Sequence, residues 1–235
     1  MNYQIITDEA KLDEFISFLP DIEDTEVYYL CLFGRHKYAA EFPNTKDSGQ
    51  LARIASRKSD LKEKIRRLES PLGSFSRDGA VAPQEALAVY IGLNPRSLIQ
   101  ANKNLLIELA TRIAGGDLSF NPISAATTEI HRAVSRKFFV DFDYDHVEPA
   151  DCLPKIKEIL PAGAYKVLKT RGGFHLIVEL AKMNKPIKKD WHKLLSSLPN
   201  CDVRGSKNLT PVPGCTQGGF TPYFVGEDDE TKNSQ

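Results

Sequence analysis

Apolar positions along the chain recur first at helical and then at strand spacing, and the alternation lays out the elements. In residues 9 to 19, Leu12, Phe15, Ile16 and Leu19 share a helix face, with Thr7 or Asp8 as cap and Pro20 as stop. Residues 26 to 33 are β-formers throughout and predict a buried strand that ends in Gly34-Arg35-His36-Lys37-Tyr38. Between 49 and 70, Leu51, Ile54, Leu61, Ile65 and Leu68 mark one face of a long helix, and its other face carries Arg53, Arg57, Lys58, Lys62, Lys64, Arg66 and Arg67. The breakers Pro71, Gly73, Gly79 and Pro83 predict a loop, and residues 86 to 92 a strand. Ser97 then caps a helix on which Leu98, Ala101, Leu105, Leu109 and Ile113 recur until Gly115-Gly116. After a loop through Asn121-Pro122, residues 124 to 137 read as a helix with a Ser or Thr cap.

The second half changes rhythm. Strands are expected at 138 to 145, 165 to 170, 174 to 180, 209 to 212 and 220 to 225, with helices at 151 to 160 and 188 to 198. The order β-α-β-β-α-β describes a split βαβ, or ferredoxin-like, sheet. The fold class is therefore α/β (α+β), with an N-terminal α/β unit over residues 1–120, a ferredoxin- or RRM-like mixed sheet over 121–225, and a polar acidic tail over 226–235 expected to be disordered.

Charge narrows the partners. The 31 Lys and Arg balance 31 Asp and Glu, so any nucleic-acid surface has to come from local clustering. Cys31, Cys152, Cys201 and Cys215 form no CxxC or Cys/His pair of zinc spacing, which predicts free thiols, a reducing cytoplasm and no zinc. The N-terminus lacks a basic region followed by an apolar run, and no stretch is long enough to span a bilayer, so no membrane partner is expected.

Three segments carry candidate chemistry. On the strand at 138 to 145, Asp141 and Asp143 stand two residues apart and so share one face, while Val140 and Phe142 take the other. Paired carboxylates on a buried element call for a cation, and hard oxygen ligands suit Mg²⁺ or Mn²⁺; the plainer alternative is a strand end running into an acidic turn. In Lys169-Thr170-Arg171-Gly172-Gly173-Phe174-His175, two glycines allow a tight turn flanked by groups suited to anionic oxygens, or simply a hairpin tip. The third segment runs from Asp202 through Arg204, Lys207 and Leu209 to Pro213-Gly214.

In this order the three segments resemble the archaeo-eukaryotic primase superfamily, which includes primase-polymerases and ligase-associated polymerase domains. That pattern is a hydrophobic strand with DxD or DxE, then an S/T-x-H or GGxH element, then a third acid; here it is met by Asp141 and Asp143, by Thr170 to His175, and by Asp202. The run from Asn208 to Gly219 also looks like the family's strand after the third acid. The resemblance covers about residues 136 to 225, without the cysteine-rich zinc element many primases carry.

The resemblance implies that Asp141, Asp143 and Asp202 are catalytic and hold two divalent cations, Mg²⁺ or Mn²⁺. It implies that His175, Arg171, Thr170, Lys169, Gly172, Gly173 and Lys207 bind a nucleoside triphosphate. Glu179 shares the facing of His175 and competes with Asp202 for the third position. The expected partners are nucleoside triphosphates, single-stranded DNA or a primer-template, and a helicase or other replication proteins. Template contact is expected from Arg35, Lys37, Arg57, Lys58, Lys62, Arg66 and Arg96. Two readings compete: an RRM-like binding sheet stacking bases on Phe138, Phe142 and Tyr144, and a metal-dependent phosphoesterase.

Overall fold

The computed structural model describes residues 1–43, 49–117, 119–183, 189–203 and 209–226. The first helix, α1 (Glu9–Phe18), is capped by Asp8, whose carboxylate accepts from Lys11 N at 3.1 Å. It is followed by β1 (Glu26–Gly34), buried along its whole length. A strand so buried needs hydrogen-bond partners at both edges. It finds β5 (Leu87–Ile91) on one side and β2 (Gln50–Ser56) on the other, both antiparallel.

The pairing with β2 overturns the long helix expected over 49 to 70. Residues 50 to 56 extend to complete β1, a 3-10 turn follows at Lys58–Asp60, and only α2 (Leu61–Arg66) is α-helical. Helical spacing of the apolar residues is a weak preference beside the unpaired edge of a core strand. The expected loop at 71 to 83 likewise contains a small hairpin, β3 (Ser76–Arg77) with β4 (Ala80–Val81).

The strand β6 (Arg96–Ser97) pairs with the start of β1, and Ser97 caps α3 (Leu98–Ala114) as expected. The next helix, α4 (Pro122–Arg132), starts earlier and ends earlier than its sequence suggested. Asn121 accepts from Ser124 N at 3.0 Å and Pro122 occupies the first turn, so the Asn-Pro pair is the helix start and not a loop.

The second sheet contains β7 (Phe139–Asp145), β8 (Tyr165–Lys169), β9 (Gly173–Glu179), β10 (Cys201–Val203) and β12 (Tyr223–Phe224), in the order β10-β7-β9-β8-β12. With α5 (Pro149–Ile159) and α6 (Trp191–Ser196) as crossovers, this is the ferredoxin-like order, and the molecule is α+β. All its pairings are antiparallel, so the sheet is not mixed. Its sixth element is β10. The segment expected in that place instead forms β11 (Thr210–Pro211), which crosses back to pair with β5 in the first sheet.

Both helices cover one face of the second sheet, where Phe142, Tyr144, Phe174, Leu176 and Val178 pack with Leu153 and Ile156 of α5 and Leu195 of α6. The other face meets the first sheet, and Phe139, Leu168 and Ile177 join a core with Tyr28, Leu30, Leu32 and Phe15. One continuous core therefore links residues from both halves, and the acidic end of β7 is left beside the edge strand β11. None of the helices is long and apolar enough to cross a membrane, among the described residues.

Candidate active site

Alternation along β7 places Asp141 and Asp143 on the face opposite Phe142 and Tyr144. The antiparallel register sets His175 of β9 directly across from Asp143, and Asp202 of β10 across from it on the other side. Asp141, Asp143, His175 and Asp202 thus share one sheet face, as the alternation predicted for Asp141 and Asp143. Glu179 lies at the far end of β9, opposite Phe139, and pairs with Lys182 at 2.7 Å, which removes it from the site.

Asp141 and Asp143 are only 4% and 8% exposed, and His175 only 4%. The imidazole sits between the two acids, its Nδ1 at 2.9 and 3.0 Å from the Asp141 oxygens and its Nε2 at 3.3 Å from Asp143 Oδ1. Thr210 Oγ1 donates to Asp141 Oδ2 at 2.6 Å from the first sheet, so the two sheets meet at this carboxylate. Among the described residues, no three His, Cys, Asp or Glu side chains stand together in metal-ligand geometry. The donors are nevertheless of the right kind: two buried carboxylates already converge on one positively chargeable ring, which is chemistry that fits a hard divalent cation.

Asp143 and His175 open onto a cleft of about 430 Å³, lined also by Asp145, Thr170 and Gly172 and by Phe33, Arg35, Lys37, Tyr38, Tyr90 and Gln217. The Arg35 guanidinium lies 4.5 Å over Phe33 and 5.2 Å over Tyr90, and Lys37 sits 5.2 Å over Tyr38. Burial, then the neighbouring Tyr90 hydroxyl, pushes the Tyr38 phenol well above its ordinary value, so it remains an O–H donor. At the turn, Arg171 N donates to Gln217 Oε1 at 2.9 Å while its guanidinium stacks 4.6 Å over Tyr38 and donates to Gly218 O.

Two glycines make this packing possible. A Cβ on Gly173 would overlap Tyr144 O, and one on Gly218 would overlap both Arg171 and Tyr38. The turn is tight because strand backbones touch there, beyond any need of a hairpin tip.

Several expected site residues stand elsewhere. Lys169 is opposite Phe174 on the helix-covered face, and its ammonium pairs with Glu148 at 2.6 Å, so it does not reach the cleft. Lys207 lies outside the described residues. Arg96 is fully buried and cannot be a surface template contact; Nη1 donates to Asn94 O at 3.0 Å, Nε and Nη2 have no hydrogen-bond partner among the described residues, and burial lowers its pKa to about 10.

Arg57, Lys58, Lys62 and Arg66 are matched by acids of α1 and the loop after it. Arg57 pairs with Asp24 at 3.5 Å, Lys58 with Asp21 at 2.9 Å, Lys62 with Asp13 at 2.8 Å, and Arg66 with Glu9 at 2.8 Å. None of the four lines the cleft. Of the expected template contacts, Arg35 and Lys37 remain beside the acids.

Thr210, Tyr38, Tyr90 and Gln217 were not singled out by the sequence. Their signal exists only in three dimensions, since each comes from the first sheet or from the segment that crosses back to it.

Comparison with protein-family models, with characterised proteins and with solved structures finds no match for this chain.

Proposed function

We propose that the chain is a metal-dependent nucleotidyltransferase of primase-polymerase type, adding nucleotides from nucleoside triphosphates to a 3′-hydroxyl on a DNA template. The observation that carries this reading is a cleft lined by Asp143 and His175 together with Arg35 and Lys37, with Asp141 bonded to His175 behind the cleft wall. Mg²⁺ or Mn²⁺ held by Asp141 and Asp143, with Asp202 as the neighbouring acid, would supply positive charge to the oxygens around the transferring phosphorus.

The remaining work falls to the protein. Arg35, stiffened against two aromatic rings, and Lys37 attract the anionic oxygens of a triphosphate or template backbone. Tyr38 keeps its phenolic proton and lines the cleft beside Tyr90 and Gln217. His175 and Thr210 fix the orientation of Asp141 from two directions, so its oxygens do not have to reorganise during the reaction.

An RRM-like binding role is less well supported, because Phe142 and Tyr144 are fully buried beneath α5 and α6 and cannot stack bases. The test is incubation of an end-labelled primer-template with nucleotides and Mg²⁺ or Mn²⁺. Lengthened products are expected; shortened products would indicate a phosphoesterase, and binding without product a non-catalytic module.

A further inference from the structure

The turn between β8 and β9 sends its residues to two places. Thr170 and Gly172 line the cleft, whereas Arg171 between them does not. The resemblance implies a triphosphate contact for Arg171, yet its bonds run to protein groups. Its backbone N–H donates to Gln217 Oε1 at 2.9 Å and its guanidinium to Gly218 O, both on a segment paired with Leu87 and Ala88 of β5. The guanidinium carbon lies 4.6 Å over the Tyr38 ring.

Tyr38 is the other half of this contact. Its N–H donates to Arg35 O at 3.0 Å, which closes the loop carrying Arg35 and Lys37, and Lys37 Nζ lies 5.2 Å over its ring. Its hydroxyl is hydrogen-bonded to Tyr90 and to the buried Gln217. Tyr38 is therefore held by its hydroxyl from the first sheet and by its ring from the turn of the second. The packing is close, since a Cβ on Gly218 would overlap both Arg171 and Tyr38.

We infer that Arg171 is a positioning residue that latches the β8–β9 turn onto Tyr38, and so fixes where Arg35 and Lys37 stand in the cleft, with no phosphate contact of its own. This role deepens the nucleotidyltransferase reading and rests on it for the ligand, a nucleoside triphosphate. The side chain suits the latch. A planar guanidinium can lie on a ring and still donate from its edge, whereas a lysine ammonium keeps the charge and has neither plane nor fork. A direct phosphate contact asks chiefly for charge, which lysine retains.

Hydrogen exchange of the ligand-free full chain reads the latch, and nucleotide KM and kcat in primer extension with Mg²⁺ read its consequence. Arg171→Lys and Arg171→Met should both speed exchange of the Tyr38 and Ala39 amides at least about threefold, the factor carried by a cation over a ring at an exposed position. The amides of β1 should keep their rates, which separates the latch from a general loss of stability. Both variants should raise nucleotide KM about tenfold with kcat within about twofold. Adding Tyr38→Leu to Arg171→Lys should raise KM little further, because the same contact is already broken.

Unchanged exchange of the loop amides in both variants would overturn the inference. So would a wild-type KM for Arg171→Lys beside a raised KM for Arg171→Met, which is the result of a direct phosphate contact. If the wild type extends no primer, the exchange rates still decide for or against the latch, so the latch and the nucleotidyltransferase reading fail separately.

Discussion

His175 stands between two carboxylates, its Nδ1 against Asp141 and its Nε2 against Asp143. Thr210 is the second hold on Asp141. Replacing it with Val, which keeps the shape and removes the donor, should lower nucleotide incorporation about tenfold with the fold intact, and Ser should restore most of it. Steady-state incorporation rates for the two variants check this, and equal rates would make the hydroxyl merely structural. Arg96 invites the opposite experiment. It is a fully buried cation with two nitrogens unpartnered among the described residues and a pKa lowered to about 10 by burial, so Arg96→Met should raise the melting temperature. The acids and the histidine were legible from period-two spacing on an apolar strand and a glycine turn. Thr210 and Tyr38 were not, because Thr210 meets Asp141 only through the pairing of β11 with β5, and Tyr38 stands in the loop after β1, which folds over the cleft.

At the scale of elements, the region from 50 to 66 shows what a one-dimensional pattern misses. Its apolar and basic residues fit a helix wheel, yet the open edge of β1 draws residues 50 to 56 into a strand. Its basic groups then meet the acids of α1 and the following loop. Changing Arg57, Lys58, Lys62 and Arg66 to Ser should therefore leave the slope of log affinity for single-stranded DNA against log salt nearly unchanged. Losing Arg35 and Lys37 should reduce it by about two units.

A second ion pair joins β1 to the segment before β7. Glu26 is buried, and although burial opposes its ionisation, hydrogen bonds from Arg136, Ser135 and Glu23 N hold its carboxyl below the ordinary 4.5. Its folded value is depressed, so its contribution is full above about pH 4.5 and is lost as pH falls through the folded value. Denaturation midpoints measured between neutral and acidic pH should fall less steeply for Glu26→Gln than for the wild type, and parallel curves would show that Glu26 has no such part.

Across the whole molecule, the ferredoxin-like order was legible as far as β9 and its second crossover helix, but its last strand was expected at 209 to 212, whereas the sheet is completed by the three-residue β10, too short to carry a pattern. The return of β11 to the first sheet was not legible either, since a two-residue strand carries no periodic signal. That return closes the cleft, setting Thr210 against Asp141 and Gln217 against Arg171. Nucleotidyl transfer, as proposed, takes place where Asp143 shares a cleft with Arg35 and Lys37. The most direct test is the rate of nucleotide addition to a labelled primer-template by the wild type, Asp143→Asn and Lys62→Ser, each shown to melt at a similar temperature. The prediction is robust extension by the wild type and Lys62→Ser, with a loss of at least about a hundredfold in Asp143→Asn. Extension by folded Asp143→Asn at the wild-type rate would contradict it.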